Sequence, residues 1–550
     1  MNRVKVLDPR INVVGDEDQV NIVFFGGSRI NEQVFTADSS QLKPSAPVNA
    51  LFTILPPSTL TIVDRNIRIK AFVEVVCNQP HQLKLNDALR QYPLNSIIDV
   101  TSCQVNGENL SENSGDKLHA LHCYGSNLEE MSRVVSTSPT YPDQYQDYDD
   151  YVTEGTGKNC LGAFGENGVP CGARGGFVVE VVDANTFRAV VVESLQLSPF
   201  HNGLGYAEEG MVNVNQININ LRFKSELSRI LSHSAAGNAI TSVSCTFYER
   251  PQCLVRFITP NMTQRIPEIQ HLGFHSDQDY IKDIGTLAPG ASGKRTTDVI
   301  KLGQIPESVY IFIRHSRDSS DFKTADSFLV IDRVNILFNN ESGLLSGCGV
   351  EDLYEISARN GCNLSFPAWS NYRGSVLKLK FGQDIGLPDY LAPGCQTQAS
   401  IQITIDYTNK SKNSFTGELY TVFRNTGTFS IFENGARASV GNLTPDIVRD
   451  AIDAPEMHFE DYKRLSGGSF WSKLKGIVNK IAHFVTRAVP VATKVASVVA
   501  PEALPIIQGL GQGANIVSGL TGGRMAGGRM SGGGVSGGGV SGGRIRRRLR

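Results

Sequence analysis

The sequence predicts an all-β protein: two antiparallel β-sandwiches in tandem, then an amphipathic helix and a disordered Gly/Arg-rich tail. Three observations carry that prediction. Short runs of alternating apolar and polar residues, rich in β-branched types, recur along 1–462. Clusters of Gly, Pro and Asn separate the runs, and helical periodicity is scarce among them. The third observation is electrostatic. Lys463 to Arg550 holds 14 Lys+Arg and one acid, Glu502, so 38 of the 52 basic and 53 of the 54 acidic residues lie in 1–462. A body of net −15 therefore carries an arm of net +13, the pattern of an acidic folded part whose basic arm meets nucleic acid or an anionic surface.

In chain order, Leu60–Val76 alternates and is rich in Ile, Val and Phe, as are Phe177–Val182, Phe187–Val192 and Val212–Leu221. Val309–Ile313, Ser327–Ile331, Val334–Phe338, Val376–Phe381 and Ala399–Tyr407 continue the series. Many short strands with Gly-containing connections point to sandwiches. Some 460 residues of this exceed one sandwich, so two of roughly 220 residues, joined near 232–240, form the simplest division. The expected segments are 1–232, 233–462, a linker and helix over 463–523, and the tail 524–550. A long connection over 112–160 contains the acidic, tyrosine-rich run Tyr141–Tyr151, and connections of that length usually serve function or an interface. A plain solvated excursion is the alternative.

Other classes are disfavoured. The segment Met1–Val14 has no apolar signal core, and no stretch offers about 18 apolar residues in a row. Ten scattered cysteines without a C-x-x-C pair read as reduced thiols of an intracellular protein, which makes the sequons at Asn261, Asn340, Asn363 and Asn409 chance matches. Ala288–Arg295 approaches a phosphate-binding loop, but Ala288 replaces its first glycine and Arg295 its Ser/Thr. His119 and His122 lack a second ligand pair at metal spacing and read as a structural or surface pair. No residues earn a catalytic role, and neither cofactor nor enzyme activity is expected.

Leu89-Arg-Gln-Tyr-Pro-Leu-Asn-Ser96, leading into a segment that ends Val105-Asn-Gly107, resembles a turn and strand of double jelly-roll major capsid proteins. These include the capsid proteins of virophages and of polinton-like and adinto-like DNA viruses. Ser198-Pro-Phe200 with Asn213–Phe223 and Leu227–His233 resembles the close of a first jelly roll, and Gly374–Pro388 with Ala392–Gly394 a late segment of the second. The resemblance covers about 50–410. It implies two tandem jelly rolls, homotrimers forming pseudo-hexameric capsomers of an icosahedral lattice, and a penton-type partner at the vertices. It places the protein in the virion, made in the host cytoplasm with the nucleus as an alternative site of assembly.

The tail carries its own chemistry. Phe470, Trp471, Leu474, Ile477, Val478, Ile481, Phe484 and Val485 recur at three- and four-residue steps and predict one apolar stripe, flanked by Lys473, Lys475, Lys480 and Arg487. That composition suits an interfacial binder of a host membrane; a helix packed on the shell's inner surface fits the same stripe. Leu465–Ser469, Leu520–Arg524, Met525–Arg529 and Met530–Gly534 all read [LIM]-x-G-G-x. This is similar to the preferred site of adenovirus-type maturation proteases, which implies cleavage at Gly468/Ser469, Gly523/Arg524, Gly528/Arg529 and Gly533/Gly534. A Gly-rich linker matching by repetition is the alternative. Arg524, Arg529, Arg544, Arg546, Arg547, Arg548 and Arg550 punctuate a Gly/Ser/Val chain and suit sequence-independent binding of genome phosphates, or nuclear import. The arrangement resembles the membrane-lytic and small basic internal proteins of adenoviruses. A β-sandwich nucleic-acid-binding protein with an Arg/Gly arm, and a pore-forming protein, are the competing functions.

Overall fold

The computed structural model describes residues 11–14, 21–24, 29–38, 49–58, 60–81, 83, 87–125, 178–200, 210–225, 227–233, 240–259, 268–339 and 341–452. The first strands are β1 (Ile11–Val14), β2 (Asn21–Phe24), β3 (Arg29–Thr36), β4 (Asn49–Ile54), β5 (Ile62–Val63), β6 (Arg68–Cys77) and β7 (Asp87–Leu89). After helix α1 (Pro93–Ile97) come β8 (Ile98–Val105), β9 (Glu108–Glu112) and helix α2 (Leu118–Gly125). β10 (Val178–Val181), β11 (Thr186–Ser194), β12 (Ile217–Phe223), β13 (Leu231–His233) and β14 (Val243–Thr259) follow.

The second series is β15 (Ile269–Leu287), β16 (Ser292–Thr296), β17 (Ile300–Gln304), β18 (Ser308–His315), β19 (Val330–Phe338) and β20 (Glu341–Leu344). Helix α3 (Val350–Arg359), β21 (Val376–Lys380), β22 (Gln396–Thr408), β23 (Phe415–Phe432), β24 (Gly435–Val440) and helix α4 (Pro445–Ile452) complete it.

Both series pair in one pattern. One sandwich sets the sheet β10-β11-β6-β14-β3 against β4-β12-β8-β9; the other sets β15-β23-β18-β21 against β16-β22-β19-β20, with β17 also on β22. Counting principal strands within each, the first, eighth, third and sixth share one sheet, and the second, seventh, fourth and fifth share the other. That is the jelly-roll order, twice in one chain.

Side-chain alternation drives the pairing. Ala71, Val73 and Val75 of β6 lie opposite Val191, Ala189 and Phe187 of β11, and all six are buried in the first core. Each larger apolar side chain so buried contributes about 1.5–3 kcal/mol. In the second core Ile401, Ile403, Ile405 and Tyr407 alternate along β22. β18 is covered on both faces, and Phe312 stacks on Tyr420 of β23 at 5.2 Å. The two cores are coupled, because Leu272 and Phe274 of β15 and Phe429 and Ile431 of β23 pack into the first core. In return Ala120, Leu121 and Cys123 of α2 pack into the second.

Several expectations need correction. A division at 232/233 falls too early, since β14 pairs with β6 and β3 and completes the first sandwich. Its paired positions are buried like those of any central strand, so the sheets divide between Thr259 and Ile269. Of Val212–Leu221, only the part from Ile217 is strand. Ser327–Leu329 precede β19, which unites Val330–Phe338 through a register shift between Ile331 and Arg333. The connection over 112–160 begins with α2, whose apolar face makes it core; 126–160, including Tyr141–Tyr151, lies outside the described residues.

Candidate functional site

Between the two sandwiches runs a seam of buried charge, and the motif Arg90-Gln-Tyr-Pro-Leu94 supplies its first member. Pro93 opens α1, where its missing N–H costs nothing. Tyr92 turns the corner at φ 51° and stacks on His122 at 4.7 Å. Glu193 of β11 accepts from Leu94 N at 2.7 Å, Asn95 N at 2.9 Å and Asn95 Nδ2 at 2.6 Å, capping the short helix. Burial pushes the Glu193 carboxyl up to about 7, against those bonds from Asn95 and Leu94.

The corner aims Arg90 across the seam. Its Nη1 donates to Asp326 Oδ2 at 2.8 Å and to Thr324 O at 2.9 Å; its Nη2 donates to Asp321 O at 2.9 Å and Leu231 O at 3.3 Å; its Nε donates to Arg229 O at 2.6 Å. Asp321, Thr324 and Asp326 belong to the loop between β18 and β19. Asp326 also pairs with Arg229, and His119 Nε2 lies 3.3 Å from its Oδ2. Burial would raise the Asp326 carboxyl, but Arg229 and then Arg90 hold it well below the usual range.

A second node centres on Asp116, in the turn before α2. Arg314 of β18 and Lys224 each reach Asp116 Oδ1 at 3.1 Å, and Arg317 reaches Oδ2. Opposing the effect of burial, Arg314, Lys224 and Arg317 keep that carboxyl ionised far below its ordinary range. At a third node, Lys117 Nζ lies 2.9 Å from Glu112 Oε1, 3.1 Å from Asp279 Oδ1 and 3.6 Å from Asp277 Oδ2. Asp277 in turn receives Arg424 in a fork, both bonds at 2.9 Å. Burial pushes the Glu112 carboxyl up to about 7, with Lys117 pulling the other way.

Chemically the seam is a clamp. Each node takes charges from both sandwiches and sets opposite charges against one another, most of them buried. Removing one partner of such a pair leaves an uncompensated buried charge, typically a loss of about 3–5 kcal/mol.

The histidine pair is structural, as expected: His119 faces Asp326 and His122 lies under Tyr92. Of Ala288–Arg295, the first four residues turn from β15 into β16 and the rest lie in β16, with Lys294 3.5 Å from Asp406. The clamp's other members carry little signal in the sequence. Arg424 carries a faint signal, as a cation directly after the largely apolar run Leu419–Phe423, whereas Asp326 sits in a polar stretch that reads as solvated loop. All tail residues lie outside the described residues: the cleavage positions Gly468, Ser469, Gly523, Arg524, Gly528, Arg529, Gly533 and Gly534; the stripe Phe470, Trp471, Leu474, Ile477, Val478, Ile481, Phe484 and Val485; and Arg544, Arg546, Arg547, Arg548 and Arg550.

Comparison with known proteins agrees with this fold. The family described as Sputnik virophage major capsid protein 1st domain matches residues 1–186, and that described as Major capsid protein V20 C-terminal domain matches 280–375. The capsid protein V20 of Sputnik virophage is 27% identical over 533 residues, covering 88% of this chain and 87% of that protein. The chain in the 3.5 Å cryo-EM structure of the Sputnik virophage superposes with a TM-score of 0.72 at 26% identity, over 84% of this chain and 98% of that one. The mavirus major capsid protein shares the fold, with a TM-score of 0.61 at 15% identity over 78% and 92% of the two chains. With its two jelly rolls in tandem and these similarities along most of its length, the chain is a viral major capsid protein of the virophage type.

Proposed function

We propose that three copies associate side by side into a pseudo-hexameric capsomer, and that capsomers tile an icosahedral shell closed by a penton-type protein. The repeated strand order carries this reading. Two blocks of like architecture per chain, fastened by the Arg90–Asp326 clamp, give six near-equivalent blocks per trimer. Conversely, a chain with one sandwich, or with two joined loosely, would offer no such tile. Negative-stain images of the expressed protein should show three-fold particles with six-sided outlines; monomers at micromolar concentration would contradict the reading.

The tail's proposed role is timed release. Before cleavage, the arginines of 524–550 hold genome phosphates through counterion release, so retention weakens as salt rises. An adenovirus-type protease then cuts after Gly468 and Gly523, freeing Ser469–Gly523 with its apolar stripe. Membrane affinity comes from that stripe together with attraction of Lys473, Lys475, Lys480 and Arg487 to anionic lipid. Replacing Gly468 with a bulky residue should leave assembly intact while blocking cleavage and leakage of anionic vesicles. An uncut chain in mature particles, with a synthetic 469–523 peptide that leaves vesicles sealed, would end this proposal.

A further inference from the structure

At the third node the seam opens to solvent. β9 and β24 each lie at the edge of a sheet, and the two edges meet without pairing as strands. Ala438 N donates to Glu108 Oε1 at 3.0 Å and closes the gap at one end. Beyond that bond the edges part around a cleft of about 320 Å3 lined by Ser111, Glu112, Leu197, Phe274, Asp277 and Val440, among others. Past Glu112 and Asp277 the cleft continues into a chamber of about 10 Å3 bounded by Ser114, Gln196 and Arg424. Such a chamber is the size of one water molecule.

Two features of this site ask for a cation. Among the described residues Glu112, Asp277 and Asp279 pair with Lys117 and Arg424 alone, so one negative charge is left over when all three are ionised, and burial raises the Asp279 carboxyl against the pull of Lys117. His275 does not offset it, because burial pulls its pKa down and keeps the ring neutral. The chamber also holds unused acceptors. Gln196 Oε1 and Ser114 Oγ have no hydrogen-bond partner among the described residues, although the two residues are only 4% and 5% exposed. Buried polar atoms of this kind normally have one. His275 Nδ1 and Arg424 Nη1 are likewise unpartnered, but the Arg424 charge is already met by Asp277.

We propose that this cleft binds a primary ammonium group on an unbranched stem, with Glu112 as counter-ion and Gln196 and Ser114 as acceptors. An ammonium is a compact charge with three donors, whereas a planar guanidinium exceeds a water-sized chamber. A metal ion is not favoured, since the described residues contain no group of three or more His, Cys, Asp or Glu able to hold one. The stem lies along Leu197, Phe274 and Val440. A free diamine and a lysine side chain of another polypeptide share this chemistry.

A proton competes for the same carboxylate. Burial, opposed by Lys117, puts Glu112 near 7. Of the groups facing it, Asp277 stays ionised, held low by Arg424 and Lys117 against burial, and Lys117 and Arg424 stay charged. Affinity should therefore be about tenfold weaker at pH 6 than at pH 8, in proportion to the ionised fraction. The test is titration calorimetry on the full-length chain with 1,4-diaminobutane and, separately, with acetyl-Gly-Lys-Gly-amide. One saturable site per chain is expected, tighter at the higher pH, and lost in Glu112→Gln. Ser439→Trp, which walls the cleft without touching its charges, should also abolish binding, and it decides the matter should Glu112→Gln fold poorly. Binding of the diamine alone would identify a free amine as ligand, and tighter binding of the peptide a partner's lysine. No saturable heat with millimolar ligand, equal affinity at both pH values, or binding retained in Ser439→Trp would overturn the proposal.

Discussion

Arg90 reaches from the corner between β7 and α1 into the loop before β19 and uses all five of its N–H donors, three on that loop and two on Arg229 O and Leu231 O. A lysine would fill much of the same space with three donors and no fork. Arg90→Met should cost about 3–5 kcal/mol, read as a lower urea midpoint, and Arg90→Lys should recover only part of it. A loss below about 1 kcal/mol would show that the clamp is dispensable. Glu193 gives a pH-dependent counterpart. Its carboxyl titrates higher folded than unfolded, so its stabilisation is fully present below about 4.5 and lost as pH rises through about 7. Between pH 4.5 and 8, the stability difference between Glu193→Gln and the native chain should move toward the glutamine variant by about 3 kcal/mol. Paired denaturation curves would detect the trend, and a flat difference would contradict it. The Arg90 motif was legible in the sequence, but its partner was not. Asp326 becomes special only because its loop, far along the chain, folds over Arg90, and no local pattern records that.

Elements with one buried face were the easiest to read. β6, β11 and β22 alternate cleanly because one side packs and the other faces water. β15 and β23, the longest described strands, give no clean alternation for a physical reason: Asp277 is half-buried and Arg424 buried, at positions within strands where apolar side chains are expected. The charges that hide these strands are those that join the sandwiches. α2 was missed likewise, because a helix of eight residues with two histidines gives little periodicity. At this scale Gly374 is the most exacting position. It precedes β21 at φ +95°, and an added Cβ would lie 1.8 Å from Phe328 O. Gly374→Ala should therefore displace the backbone that positions β21 and lower stability by at least about 3 kcal/mol. A melting temperature within a degree of the native protein would refute this.

For the whole molecule, the charge split and the tandem strand pattern were both legible without a structure, whereas the handover from one sandwich to the other was not. The described sheets, cores and clamp all lie within 11–452, and the basic arm comes after them. The body should accordingly fold without the arm, and deletion of 469–550 should leave a soluble trimer that no longer retains nucleic acid. Aggregation or a monomer would count against that separation. The account rests most heavily on three copies of a two-block chain forming one capsomer. Light scattering on the size-exclusion peak of the full-length protein measures this directly. The account predicts close to 180 kDa, three times the 59.8 kDa chain, constant across micromolar dilution. A single species near 60 kDa would contradict it.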